Sequence, residues 1–412
     1  MANTSLTRTF DQVGNRQTWT LSVWIKRTGI GGQQNFFGSF PQSTDYERIM
    51  FNNDKIYMSE VGGGSTSWEV QTDAVYRDTN AWYHLVLRHD TTQASANDRI
   101  RLYMNGVQQT FGTNTQPAQN RGTAINTADV HKIGMGYSSE YTDCVMSHFH
   151  WCDGYSYGPD SFGSTDSDTG EWKINTSPSV SYGTNGFFLF KDDNAVTDRS
   201  GQGNNFTLGG GTLTKTEDNP SNVFATLNPL VPDAGSTGYF HGNTQYNVNT
   251  ANWRSAFSTL GMSSGKFYFE SYIEAGSYIH IGARGVEQSD GSLAGNNDWI
   301  GVTSQGWSYD KTGEIRNNNS SVASGKATYG NTDIIGCLLD LDNWTINWTK
   351  NGTLINSTAY SITQNLTYVF GVSGHSTARI RTNFGNGYFQ TTAVASAGTN
   401  ASGNGIFEYD VP

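Results

Sequence analysis

The chain has 412 residues, of which 35% are hydrophobic, 13% aromatic and only 15% charged, with 48 glycines and 8 prolines. Low charge combined with many aromatics and turn formers argues against both disorder and helices, and for an all-β chain of short strands joined by polar turns. A net charge of −11 without any basic run excludes a phosphate backbone as partner, so no nucleic acid is expected. No stretch nears the ~20 apolar residues of a membrane span, and the opening MANTSLTRTF lacks a signal peptide's apolar core, so no membrane insertion is expected.

At roughly 150 residues per domain the length suggests two or three domains. Residues 5–10 and 18–26 read as the first strands, with Trp19, Leu21, Val23 and Ile25 alternating against Thr18, Thr20, Ser22 and Trp24. Residues 47–52 and 55–61 form a hairpin around Asn53-Asp54, and AWYHLVLRHD (81–90) a central strand. RIRLYMNGVQ (99–108) is a strand closed by Asn105-Gly106, a dipeptide that tolerates the positive φ of a type I′ turn. Residues 130–136 and 145–151 supply two more strands. In LSVWIK, WYHLVLRHD, RLYMNGV and HKIGMG, residues 1–155 resemble the laminin G-like, pentraxin-like branch of the concanavalin A-like lectin/glucanase superfamily.

Residues 153–210 hold a DG-x4-P-x-x-F-G segment with one helical turn at 159–162, a Y-G-x-N-G-F strand start at 182–187 and a D-x-S-G-x-G-N closing turn at 198–204. They are expected to add an edge to the first sandwich. With DNPSNVFATLNPL (218–230), this arrangement resembles one that recurs in virion proteins of tailed bacteriophages. Pro220, Pro229 and Pro232 mark a stiff connector over 211–235.

The second half contains SGKFYFESYIE (264–274), YIHIGAR (278–284), GWSYDKTGEIRNN (306–318), DIIGCLLDLDNWTINWTKNGTLI (333–355) and YVFGVSG (368–374). In 333–355, Cys337, Leu339 and Leu341 share one face and Leu338, Asp340 and Asp342 the other. The chain turns at Asp342-Asn343, Ile346 and Trp348 continue the buried stripe, and Asn351-Gly352 turns it again. In order and spacing these segments resemble a SPRY (B30.2) domain over 236–390. The tail, 391–412, ends in IFEYDV, expected to add an edge strand. The expected architecture is thus two antiparallel β-sandwiches of jelly-roll, concanavalin A-like type in tandem, 1–210 and 236–390.

Cys144, Cys152 and Cys337 are odd in number and lack metal-ligand spacing, and Cys144 and Cys152 lie too far apart on one extended segment to bridge. Free thiols made in a reducing cytoplasm are expected. The sequons at Asn343, Asn347, Asn351 and Asn365 read as ordinary turn and strand residues.

Glucanases of the first superfamily carry their acids as Glu-x-Asp-x-Glu or Glu-x-Asp-x-x-Glu on one strand face, and neither pattern occurs. Asp340 and Asp342 share a face but fall at a hairpin turn. Glu270 and Glu274 would stand ~13 Å apart on a strand, beyond either glycosidase spacing. No enzyme is expected. Calcium, which laminin G-like and pentraxin-like domains often bind, could find hard oxygen ligands in Asp166, Asp168 and Glu171, although Gly170 and the position of the glutamate depart from an EF-hand loop and an Asx-rich turn also accounts for them. His148 and His150 share a side of one strand without a third zinc ligand placed by spacing. Trp299, Trp307 and Tyr309 fall where a SPRY domain places its binding loops, and Trp68, Tyr137 and Tyr141 are expected in loops of the first half, available to stack on sugar rings or a protein partner.

The expected protein is a non-enzymatic phage virion surface component, a tail fibre or adhesin contacting host surface glycans, or a capsid decoration fibre. Its partners would be other virion proteins, host cell-surface polysaccharide and further copies of itself, as in a trimer around a symmetry axis. The alternatives are a carbohydrate-active enzyme and a SPRY-type protein-interaction module.

Overall fold

The computed structural model describes residues 3–412 apart from 138–139, 192–194, 231–236 and 287–297. It is all-β, with no α-helix among the described residues, and divides into two compact units, 1–215 with 219–221 and 216–218 with 222–412.

The first unit is two antiparallel sheets. The larger runs Phe111–Thr115, Ser65–Thr72, Lys55–Gly62, Asp45–Asn52, Gln33–Gln42, Val130–Ile133, Ser5–Thr9, Thr207–Gly210, each strand pairing with the next. The smaller runs Phe187–Leu189, Cys144–Asp153, Thr18–Arg27, Trp82–Asp90, Ile100–Met104, Val107–Gln108. Alternate side chains of both sheets meet in one core that includes Trp19, Leu21, Val23, Ile25, Phe37, Ile49, Trp68, Leu87 and Trp151. Period-two alternation is what sends Thr20, Ser22 and Trp24 to the other face. The turns follow the sequence signals: Asn53 and Asp54 have φ of 48° and 69°, Asn105 and Gly106 48° and 78°.

Phe187–Leu189 adds the expected edge by pairing with Cys144–Asp153. The residues before it do something the sequence did not suggest. They cross the outer face of the smaller sheet, where Phe162, just after the 3-10 turn Pro159–Ser161, packs on Val86 and Cys152. Trp172 donates its indole N–H to Nδ1 of His84 (2.8 Å), which leaves the His84 proton on Nε2, facing Ser22 Oγ at 2.9 Å. Buried Asp153 fastens this excursion. Its Oδ1 accepts from the Asn15 amide (2.7 Å) and Asn126 Nδ2 (2.6 Å), and its Oδ2 from the Asn185 amide (3.0 Å).

The second unit repeats the plan. One sheet runs Thr237–Phe240, Gln245–Val248, Arg379–Asn383, Lys266–Ala275, Ile334–Asp340, Thr345–Lys350, Thr353–Leu354, with Tyr360–Ser361 also on Thr345–Lys350. The other runs Thr250–Phe257, Thr367–Ser376, Tyr278–Val286, Gly306–Asp310, Ile315–Asn317, Ser320–Ala323. Cys337, Leu339, Leu341, Ile346 and Trp348 all lie in the core, and the Trp348 indole donates to the Ile281 carbonyl of the facing sheet (2.9 Å). Asn351 and Gly352 again have the φ values of a type I′ turn, 47° and 79°.

Two expectations change. Much of the segment expected as a connector belongs to the second unit: Leu227 is in its core and pairs with Asn243, while Asn228 donates to the Phe257 carbonyl. Pro232 lies outside the described residues. The tail segment 406–411 adds no edge strand but lies on a sheet face. Glu270, an outward residue of Lys266–Ala275, accepts the amides of Glu408 (2.8 Å) and Tyr409 (3.0 Å), and Phe407 packs edge-on against Tyr268. Two backbone amides on one buried carboxylate hold the tail against that face.

Asp153→Ala leaves three donors without an acceptor, so we expect a loss on the order of 3 kcal/mol in the first unit's stability, with Asp153→Asn losing less because it keeps one acceptor oxygen. Urea unfolding of the three proteins checks this.

Candidate functional site

Burial of Ile279, Ile281 and Ala283 turns Tyr278, His280 and Arg284 of the same strand outward. Tyr278 stands opposite His375 across the ladder, and the strand Thr250–Phe257 brings Trp253 from the far side of Thr367–Ser376. Three adjacent strands therefore each present one ring at the same end of an outer face. Ring centroids lie 5.2 Å apart for Tyr278 and His375, 5.4 Å for Trp253 and His375, and 6.3 Å for Trp253 and Tyr278. Tyr278 is 56% exposed, Trp253 and His375 half-buried.

Beneath them His280 packs under Trp253 (4.8 Å, edge-on) and Trp299 (4.4 Å). The Arg316 guanidinium lies 5.9 Å from the Trp299 ring. Burial holds the His280 imidazole well below its ordinary pKa, so it stays neutral, with Ser308 Oγ 3.0 Å from Nδ1. Burial alone would raise the neighbouring Asp310, but hydrogen bonds from Arg316, Thr312 and the Glu314 amide outweigh it and keep the carboxylate ionised. The result is a fixed floor under rings whose edges and faces meet solvent, suited to stacking against a flat apolar surface.

Of the aromatics singled out from the sequence, Trp299 joins this array at 9% exposure. Tyr309 and Trp307 do not, because odd positions of Gly306–Asp310 face the core: Tyr309 is wholly buried and Trp307 packs against the core. Trp68 is not in a loop either. It sits in the strand Ser65–Thr72, 1% exposed, donating to Glu60 (2.6 Å). Tyr137 is 47% exposed and lines a cleft of the first unit; Tyr141 is half-buried. Trp253, Tyr278, His280 and His375 were missed, although rings at outward positions of alternating strands are a legible signal.

Of the expected calcium ligands, Asp166 is engaged within the chain. Asp166 Oδ1 accepts the amides of Asp168 and Thr169 in an Asx-turn, and its Oδ2 pairs with Lys173 at 2.7 Å. No group of three metal-ligating side chains occurs among the described residues. His148 and His150 do approach, at 6.3 Å between ring centroids, but Nδ1 of one meets Ser147 and Nδ1 of the other Tyr182. Asp340 closes a turn through the amides of Asp342 and Asn343, and these contacts with Lys266 hold its carboxyl below the usual range despite some burial.

Sequence spacing could not bring together Glu47 and Glu60, which face each other across adjacent strands and point between the sheets. Glu60 is held by Trp68 and by both Arg121 contacts, Nε at 3.1 Å and Nη2 at 2.8 Å. Glu47 is completely buried; burial, then the charge of Glu60, push its carboxyl up to about 8 although the Ile125 amide donates to it. A raised acid beside a second carboxylate is the arrangement of a glycosidase pair, but both point into a packed interior.

Glu47 yields a pH prediction. Its folded-state pKa exceeds the unfolded value, so its contribution to stability falls as pH rises from about 4.5 to about 8. Below pH 6.5 the buried neutral histidines His84, His89, His131 and His150, all lowered by burial, pull in the opposite direction. The difference in unfolding free energy between the unaltered protein and Glu47→Gln cancels the histidines and isolates the carboxyl. From pH 5.5 to 8 that difference should fall with pH, by at most about 1.4 kcal/mol per pH unit.

Residues 2–153 match the laminin G-type family model described as the concanavalin A-like lectin/glucanases superfamily, and residues 266–387 match the SPRY domain model. A probable ATP-dependent RNA helicase, ddx1, of Dictyostelium discoideum is 33% identical over 103 residues, and the ATP-dependent RNA helicase Ddx1 of Drosophila melanogaster 34% over 101. These cover 25% and 24% of this chain but only 12% and 13% of the helicases. Among solved structures, the SPRY domain of human HERC1 is similar at 16% identity and a TM-score of 0.30, over 38% of this chain and 96% of that one. The TRIM65 PSpry domain is similar at 14% and 0.31, over 38% and 87%. The chain carries a laminin G-like, concanavalin A-like domain followed by a SPRY domain.

Proposed function

We propose that this protein is a non-enzymatic binding protein of a tailed-phage virion surface, a tail fibre or adhesin or a capsid decoration fibre, whose two sandwiches contact host surface glycans. The observation that carries the binding reading is the Trp253–Tyr278–His375 array. An outward face of rings on a sheet is how a β-sandwich offers a stacking surface without disturbing its core. Two families of binding module in one chain, and the resemblance of residues 153–230 to virion proteins, support the setting. The carboxylate geometry supports the non-enzymatic part: Glu47 and Glu60 point inward, Asp340 is spent on a turn, and Glu270 on the tail.

One observation favours a second reading, a peptide-interaction module. The SPRY domain already holds a segment of its own chain through Glu270 and Tyr268.

Antibody against the protein should label purified virions and block adsorption to host cells if it is the adhesin, or label capsids without blocking if it is a decoration. In the adhesin case the double variant Trp253→Ala, Tyr278→Ala should adsorb roughly tenfold more weakly with unchanged assembly, since loss of well-placed rings costs ~1.4 kcal/mol or more. Absence of label from virions sinks the phage reading.

A further inference from the structure

A second site lies on the first domain, and of its residues only Tyr137 was singled out above. On the outer side of its eight-stranded sheet a cleft of ≈ 150 Å³ is lined by Asn35, Phe40, Tyr46, Arg48, Tyr137 and Glu140 among others. The strand Gln33–Gln42 builds it by breaking alternation twice. Its register against Asp45–Asn52 shifts between Asn35 and Phe37 and again between Ser39 and Gln42. The first bulge allows Phe36 and Phe37, consecutive in sequence, both to be buried in the core. The second lies beside Phe40 and the turn that leads to Tyr46. Bulges of this kind re-aim side chains beside binding sites.

Asn35 is the informative residue. It is 1% exposed, yet neither Oδ1 nor Nδ2 has a hydrogen-bond partner. Its backbone is fully used: the amide donates to the Glu140 carbonyl (3.1 Å) and its carbonyl accepts from Thr142 Oγ1. A buried amide side chain left unpaired costs roughly 1–3 kcal/mol, and this one borders the cleft. Gly136 makes room for both groups, since a β-carbon there would collide with the Asn35 amide and the Glu140 carboxylate.

The walls set the ligand class. Phe40 and Tyr46 are nearly parallel, with centroids 6.2 Å apart. Arg48 is steadied between the rings of Tyr46 (5.3 Å) and Tyr57 (5.6 Å). The Asn35 amide offers an acceptor and two donors side by side, the pattern that two neighbouring hydroxyls satisfy. A carboxylate and a guanidinium together favour a neutral ligand over an anion or a cation. The volume is below the ~300–1,000 Å³ of drug-sized sites, enough for one small ring.

We propose that this cleft binds a single neutral sugar ring, its hydroxyls on the Asn35 amide and its apolar face on Tyr137 or Tyr46. The inference rests on the glycan-binding reading for its ligand class only. The test is saturation-transfer NMR on the full chain with millimolar glucose, galactose, mannose, N-acetylglucosamine and rhamnose in turn. At least one sugar should receive saturation, and the signal should fall at least fivefold in Asn35→Ala and in Tyr137→Ala while persisting in Trp253→Ala. Should Asn35→Ala fail to fold, the exposed Tyr137 carries the test. No transfer to any of the five sugars, or transfer undiminished in both cleft variants, or transfer abolished by Trp253→Ala alone, overturns the proposal. Sugar binding here with unlabelled virions would leave the cleft standing and remove the phage setting; blocked adsorption without transfer would do the reverse.

Discussion

The pleat of a β-strand gives each residue one of two faces, and in a two-sheet sandwich the inner face must be apolar to bury enough surface for stability. Everything else about this chain depends on that division. Once Ile279, Ile281 and Ala283 go to the core, Tyr278, His280 and Arg284 have no choice of side. Once Tyr309 and Trp307 turn inward, Ser308 and Asp310 are the residues that meet the outer face. Side chains that a partner can reach are confined to outward positions and to places where alternation fails. The aromatic array of the SPRY domain uses the first option and the Asn35 cleft the second.

A second theme is the use of acids as clamps for loops. With only 15% charged residues, the chain has few ion pairs to spare, and several of its buried carboxylates take backbone amides instead. Asp153 gathers segments from residues 15, 126 and 185; Asp198 accepts the amides of Phe188, Ser200 and Asn204; Glu270 holds the tail. A carboxylate accepts several N–H groups at once, so one residue can end two or three loops whose amides would otherwise be buried unpaired. This accounts for the pairing and burial of these acids. In Glu47 the same economy is incomplete: one oxygen takes the Ile125 amide, and the other is buried without a partner beside Glu60.

The excursion over residues 154–185 has a consequence for the lectin-like domain. Phe162, Trp172 and Tyr182 cover the outer face of the smaller sheet and take up the polar atoms of His84 and His150. The larger sheet keeps an outer face with accessible side chains, which is where the cleft lies.

The sequence by itself determined the fold class, the type I′ hairpins at Asn105-Gly106 and Asn351-Gly352, the buried stripe from Cys337 to Trp348, and the closing turn around Asp198, because each is local: period two, a dipeptide that accepts positive φ, an Asx-type turn. It missed the strand Gln33–Gln42, whose bulges disrupt the period, and put Trp68 in a loop because Ser and Thr alternate with it in STSWEVQT. Only the tertiary structure decided what depends on partners distant in the chain: the meeting of Trp253, Tyr278 and His375 from three strands, the facing of Glu47 and Glu60, and the laying of the tail on a face rather than an edge. Register between strands is set by which residues fill the common core, and no single segment carries that information.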